Sequence, residues 1–556
     1  MDFNHFYTNE ELEAVLKGWA QAYPSLVTLS KIGESYEKRP LWLIAITNQA
    51  TGSDLDKPAV WLDANIHATE ITGTTVTLYI ALHLLEGYGK DEHITRLLDS
   101  STYYIQPRIN PDGAALAMAA NPRFVRSGVR PYPYEDKQEG LHEEDMDGDG
   151  RILQMRIPDP NGDWKVSSLD PRLMEKRSMD EHGGTYYRLL SEGRLEHYDG
   201  WLIKDAPPLA GLDFNRNFPF EWRTEGEQHG AGPYPASEPE IRAVIDFVIH
   251  HNNINIAITY HTYSGVILRP YSTRPDDQMI TEDLWVYQKI GKRGTELTGY
   301  RNVSVYHDFL YHPKEVTTGA FDDWMFDHHG VFAFTIELWD LPTAAGVKER
   351  KFSEWFRDHP HEQDVQILKW ADEHAPDKYV PWHAFDHPQL GKVELGGWDS
   401  LYTWRNPPPA LLEEHAVHQY PFALALGDML PRLAVLDFTA TPLGSNAYHL
   451  NLVIENDGYL PTYTSQQGKN RSAKRPIQVE LELGEGMTLV QGKGRFELDH
   501  LEGRSNKTDV SQSSGSSPTD NRARAEWVIQ APVHGKLHLK IHCPRGGCIE
   551  RDITLS

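Results

Sequence analysis

The apolar positions follow two different rhythms along the chain. Up to about residue 375, short apolar runs of strand length alternate with stretches of helical period. Residues 59–64 (AVWLDA) form one such run, and residues 72–85 (TGTTVTLYIALHLL) have the length and period of a helix. The runs INIAITY and VFAFTI, which end at His261 and Glu337, are equally apolar. Helical period returns at residues 362–373. This order predicts an α/β domain over residues 1–375, a mixed twisted sheet flanked by helices.

From about residue 430 the rhythm changes to strict alternation. AVLDFTATPL, YHLNLVIENDG, IQVELELG, RFELDHL, ARAEWVIQAP and KLHLKIHC are separated by turn signals, which predicts an all-β sandwich over residues 430–556. Residues 505–521 (SNKTDVSQSSGSSPTDN) within it have the composition of a disordered polar loop. Residues 376–429 are rich in proline and tryptophan and end in a helical stretch at 411–426. So many aromatics exclude a free linker and predict a connector packed on the first domain.

Composition narrows the functional classes. A chain of 556 residues is too long for one ordinary core. Its formal net charge of −26 argues against nucleic acid as a partner and suits cationic substrates. The two cysteines, Cys543 and Cys548 in CPRGGC, allow either a small bridge or two free thiols and are too few for a metal site. There is no apolar run of membrane-spanning length, and MDFNHFYTNEE has no signal-like basic and apolar regions. The expectation is a cytoplasmic enzyme without an inhibitory propeptide, although removal of a signal peptide would leave the same sequence.

Three segments place reactive side chains at the ends of apolar runs. AVWLDANIHATE carries His67 and Glu70, INIAITYHTYSG carries His261, and VFAFTIELWD carries Glu337. Two histidines and a glutamate give zinc three ligands and leave a fourth position open, as catalytic sites require. Glu337 lies in an apolar strand, where desolvation raises a carboxyl pKa and a nearby metal opposes the rise. Such a group can take a proton from water and return it to a leaving amine. The HxxE spacing recurs in HPKE (312–315) and HPHE (359–362), but there a proline follows the histidine and favours an extended or turn conformation.

These segments sit among others that together resemble zinc carboxypeptidases of the carboxypeptidase A type, the M14 metallopeptidases. The resemblance covers roughly residues 6–375. FYTNEELEAVLKGWAQAYPSLVTLSKIGESYEKRPLWLIAIT resembles the family's opening helix and hairpin. NIHATE, QPRINPDG, NPRFVRSG, LDFNRNF, YHTYSG and FTIELWD follow in the family's order. The resemblance implies zinc held by His67, Glu70 and His261, with Glu337 as general base. It implies an oxyanion-binding Arg126, spaced from Arg123 as in the family's arginine pair. Asn215 and Arg216 match the clamp for a terminal carboxylate, Asp213 the carboxylate that orients a ligand histidine, and Tyr263 the subsite before the scissile bond. Asp322 falls at the base of the S1′ pocket, which implies a preference for basic C-terminal residues.

Three departures stand out. Thr69 occupies the place where the family commonly has an arginine. Glu315 falls at the family's mobile tyrosine, with Tyr311 four residues earlier. An insertion at about 128–209 remodels the rim. The expected function is zinc-dependent hydrolysis of C-terminal peptide bonds in substrates with a free terminal carboxylate. Two alternatives are a zinc amidohydrolase acting on cell-wall peptides or N-acyl amino acids, and a catalytically silent binding protein. The presence of His67, Glu70, His261 and Glu337 argues against the second. A separate expectation is calcium at Asp145, Asp147 and Asp149 in EDMDGDGRILQMR, whose spacing resembles an EF-hand loop with Arg156 in place of the closing glutamate. An acidic, solvated turn reads the same residues equally well.

Overall fold

The computed structural model describes all residues except 311, 313, 314, 349, 472–474, 508–517 and 556, and the backbone alone at 352 and 353. Tyr311 and most of the polar loop at 505–521 therefore lie outside the described residues. The first part of the chain builds an eight-stranded mixed sheet. In spatial order its strands are Val27–Glu34, Pro40–Ile46, Thr102–Gln106, Ala59–Ala64, Ile254–Thr262, Phe332–Leu338, Val266–Arg269 and Arg301–Ser304. Four central strands, from Thr102–Gln106 to Phe332–Leu338, are parallel and buried along their whole length, which explains their unbroken apolar runs.

The helices follow the predicted pattern with small shifts at their ends. Helix Asn9–Ala22 starts at a Thr8–Glu11 capping box, and its leucines Leu12 and Leu16 are buried. Helix Thr72–Gly87 is buried almost all round, because Leu412–Asp428 packs on it from outside the sheet. Its Gly73 is a close-approach position: a Cβ there would lie 2.8 Å from Ala64 Cβ and 2.9 Å from Tyr260 Cβ. Helix Leu412–Asp428 buries Leu412, Ala416, Phe422, Ala423 and Leu426, and the last four of these residues join the core of the main sheet along with Leu430.

The insertion and the connector meet in one structure. Insertion strands Gln154–Pro158, Trp164–Val166, Met174–Lys176 and Tyr187–Ser191 form a six-stranded sheet with the connector hairpin Tyr379–His387 and Gly391–Trp398. Arg156 fastens the two segments. It pairs with Glu394 at 2.8 Å and lies over the ring of Trp382. The hairpin is absent from the sequence reading, because VPWHAFDH has proline and histidine where alternation would be expected.

The last part is a pair of four-stranded antiparallel sheets, with Leu433–Gly444, Ala447–Asn456, Arg522–Gln530 and Thr488–Gln491 in one. Arg495–Leu498, Ile477–Leu483, Lys536–Cys543 and Gly547–Thr554 form the other. Residues Leu450, Leu452, Trp527, Val479 and Leu539 from both sheets share one core, consistent with a sandwich. Cys543 and Cys548 are free thiols, both held up to a pKa of about 11 by burial. The sandwich docks on the turn that leads into strand Phe332–Leu338. Ser465 Oγ donates to the Gly330 carbonyl at 2.7 Å, and the guanidinium of Arg545 donates to the carbonyls of His329 and Gly330.

Candidate active site

The chain leaves strand Ala59–Ala64 through Asn65, which adopts a left-handed conformation that asparagine tolerates. The Asn65 side chain donates to the carbonyls of His67 at 2.8 Å and Glu70 at 3.3 Å, folding the loop back on itself. The NPDG segment holds the neighbouring loop. Asn110 caps helix Pro111–Ala117 through Gly113 N and donates to the Ser127 carbonyl at 2.7 Å, while Ala68 N donates to the Arg126 carbonyl. Arg126 is thereby fixed beside the His67–Glu70 loop. The third element is the parallel pairing of the next two strands, which sets His261 directly opposite Glu337.

Three side chains converge on one point. His67 Nδ1 lies 2.8 Å from Glu70 Oε1, and His261 Nδ1 lies 3.1 Å from both His67 Nδ1 and Glu70 Oε2. All three residues are buried. Their donor set, two imidazole nitrogens and a carboxylate, suits zinc. Two ring nitrogens facing each other at this distance cannot both carry a proton, and a shared cation satisfies both. The remote ring nitrogens have their own partners: His67 Nε2 lies 3.1 Å from Asp213 Oδ1, and His261 Nε2 lies 3.3 Å from Thr259 Oγ1. Contacts of this kind fix the orientation of ligand histidines. The residues fit a zinc ion.

The electrostatics separate the carboxylates. Burial pushes Glu70 up, but the attraction of His67 and His261 outweighs it and holds Glu70 well below the usual carboxylate range. Asp213 is also held low, since Arg126, Arg216 and His67 together overcome its burial. Glu337 goes the other way. Burial and the charge of Glu70 hold it well above the usual range, against the pull of Arg126. Its Oε2 is buried without a hydrogen-bond partner among the described residues. Arg126 bridges Glu70 Oε1 at 3.0 Å and Asp213 Oδ2 at 3.1 Å, and is partly exposed to a cavity of about 690 Å³.

A sequence model described as "Zinc carboxypeptidase" (Peptidase_M14) matches residues 12–349, more than half of the chain. The chain belongs to the zinc carboxypeptidase family. Among its relatives, carboxypeptidase A2 of Rattus norvegicus is 25% identical over 382 residues, covering 65% of this chain and 72% of the rat protein. Carboxypeptidase B2 of Bos taurus is 25% identical over 346 residues, covering 61% of this chain and 64% of the bovine one. A crystal structure of thrombin-activatable fibrinolysis inhibitor aligns at a TM-score of 0.40 and 22% identity, covering 67% of this chain and 76% of that one. Residues 432–554 match a domain of unknown function (DUF8731).

In this zinc carboxypeptidase the cavity is lined by Glu70, Arg126, Asp213, Arg216, Tyr263 and Glu337, all singled out in the sequence. Arg123 is exposed and is not part of the wall. Asn215 lies beside the wall, with Oδ1 accepting from Phe321 N at 2.8 Å. Gly319 lets the chain pass Arg216 closely, since a Cβ there would lie 2.3 Å from the Arg216 carbonyl oxygen. Asp322 is buried, accepts from Thr335 Oγ1 at 3.1 Å, and stands next to the equally buried Asp323. Burial raises both carboxyls, and neither has a hydrogen-bonded cation among the described residues. Glu315 lines the cavity. His359 of the HPHE segment pairs with Asp364 and stacks on Trp355, away from any metal-type cluster among the described residues.

Two site residues of this zinc carboxypeptidase are absent from the sequence reading. Asn406 of the connector accepts from Ile71 N, Thr72 N and Thr72 Oγ1, and donates to the Thr69 carbonyl. It thereby caps a helix that has no side-chain cap of its own. Arg405 lines the cavity. Neither residue stands in a motif, so no local signal marks them. Elsewhere, the carboxylates of Asp145, Asp147 and Asp149 lie within 4.8 Å of one another on a turn whose own amides they cap. No candidate membrane-spanning helix occurs among the described residues.

Proposed function

We propose that this metallocarboxypeptidase removes the C-terminal residue of peptides that carry a free terminal carboxylate, with a preference for basic residues. The observation that carries the reading is Glu337: it lines the cavity, its buried Oε2 has no hydrogen-bond partner among the described residues, and it stands in register with His261 across the strand pair. What zinc supplies when held by His67, Glu70 and His261 is Lewis acidity at the scissile carbonyl and a more acidic attacking water. Glu337 Oε2 takes the proton of that water and delivers it to the departing amine. Arg126, anchored by Asp213, offers its guanidinium to the oxyanion. Asn215 and Arg216 receive the terminal carboxylate, a role suited to a guanidinium with an amide beside it. Tyr263 lines the acyl side.

Two finer elements belong to the same proposal. A cationic substrate side chain reaching Asp322 would add to the attraction that Arg216 already exerts on this buried carboxyl. Calcium at Asp145, Asp147 and Asp149 would be held by hard oxygen ligands on the insertion. The proposal as a whole is tested with Glu337→Gln. The expected outcome is a zinc content equal to the wild type and a kcat lowered by about a thousandfold or more. Near-normal hydrolysis in that variant would overturn the mechanism. Equal cleavage of C-terminally amidated peptides would overturn the carboxylate clamp.

A further inference from the structure

Arg405 puts a guanidinium into the wall of the active cavity from a part of the chain that lies beyond the family-matched residues 12–349. Its backbone is tightly held. Arg405 N donates to the Ser400 carbonyl at 2.9 Å, and the next residue, Asn406, is fastened by its side chain to Thr69, Ile71 and Thr72. The guanidinium itself is half-buried and lightly used. Nη1 makes one long bond, 3.4 Å, to Thr69 Oγ1, and Arg405 has no ion pair among the described residues. A guanidinium carries five N–H donors in a fixed fork, so most of this recognition capacity is unused by the bonds found among the described residues.

An aromatic cluster reaches the same cavity wall through Tyr263. Trp404 precedes Arg405 and lies 6.2 Å from the ring of Phe356, which lies 5.8 Å from the ring of Tyr263 in the cavity wall. Apolar surface in the wall of a cavity lowers the local dielectric and strengthens a charge-assisted hydrogen bond between a guanidinium and a carboxylate. The contact to Thr69, immediately before Glu70, sets Arg405 on a different loop from Asn215 and Arg216. If the C-terminal carboxylate occupies Asn215 and Arg216, the remainder of the peptide extends toward other walls of the cavity.

We propose that Arg405, with Tyr263, Phe356 and Trp404, forms a subsite on the acyl side of the scissile bond that selects peptides with an acidic residue there. This inference rests on the carboxypeptidase reading of the same cavity. The test uses the full-length, zinc-loaded enzyme and blocked peptides that are identical except for Glu, Gln or Lys at each of the two positions upstream of the scissile bond. The wild type is expected to favour Glu over Lys at one position by about tenfold or more in kcat/KM, mainly through KM, and less so at high salt. Arg405→Ala should collapse that ratio to within about twofold, and Arg405→Glu should invert it. Binding of the same peptides to Glu337→Gln should show the same order of affinities without turnover. Equal cleavage of the Glu and Lys peptides by the wild type overturns this subsite and leaves the carboxypeptidase reading standing. An unchanged ratio in both Arg405 variants also overturns it. A zinc-loaded wild type that cleaves none of the peptides overturns both readings.

Discussion

Asn406 donates its side-chain amide to the Thr69 carbonyl at 2.7 Å, across 337 positions of sequence. The same side chain accepts from the first amides of helix Thr72–Gly87, so the residues on both sides of Glu70 hang from one connector asparagine. Replacing it strands three buried donors at once, each costing about 1–3 kcal/mol when left unmade. Asn406→Ala should lower the thermal midpoint, and its zinc affinity in chelator competition should fall by about 10- to 100-fold. Unchanged zinc affinity would mean that the His67–Glu70 loop holds its geometry without the connector.

Selection at the S1′ pocket is expected to depend on Asp322. Matched substrates ending in Arg and Phe should differ by about tenfold or more in kcat/KM in favour of Arg, and Asp322→Ala should remove most of the difference. A wild-type preference for Phe would show that the bond from Thr335 fully satisfies this carboxyl. An Arg preference that survives the substitution would move selection to another residue.

Glu240 gives the fold a pH dependence remote from the metal ligands. It is buried at the start of helix Pro239–His250, accepts from Tyr36 N at 2.8 Å through Oε1, and leaves Oε2 without a partner among the described residues. Burial raises its pKa from 4.5 to about 7, with the charges of Asp112 and Glu238 adding to the rise. A carboxyl raised on folding contributes stability that is complete below the unfolded value and is lost as pH climbs through the folded one. The wild type should therefore lose at most ~3 kcal/mol at this site between pH 4.5 and 8. Glu240→Gln should be closer to the wild type at pH 5 and more stable than it at pH 8, measured by unfolding midpoints. A gap that is the same at both pH values would show that Glu240 is ionised in the folded protein throughout.

Calcium is expected to stabilise the insertion. Adding it at saturating concentration should raise the thermal midpoint by about 2–4 °C, and Asp147→Asn should remove the rise. If calcium moves neither protein, the three aspartates serve only to cap the turn.

The sequence by itself determined the parts that depend on local pattern. Unbroken apolar runs require burial on both faces, so the central strands and the reactive residues at their ends were legible from one segment each. The capping box at Thr8, the NPDG turn and the alternation after residue 430 likewise express short-range chemistry. Tertiary structure decided whatever depends on which distant segments meet. The pairing of the connector hairpin with insertion strand Gln154–Pro158 joins residues more than two hundred positions apart, and no local period encodes a partner at that distance. The packing of helix Leu412–Asp428 on Thr72–Gly87 and the docking of Arg545 on Gly330 are of the same kind. So are Arg405 and Asn406, a charged and a polar residue in a proline-rich stretch. Their side chains gain a role only when folding brings them to a helix start with no cap of its own and to a cavity wall, and a hydrogen bond between such segments leaves no periodicity in either one.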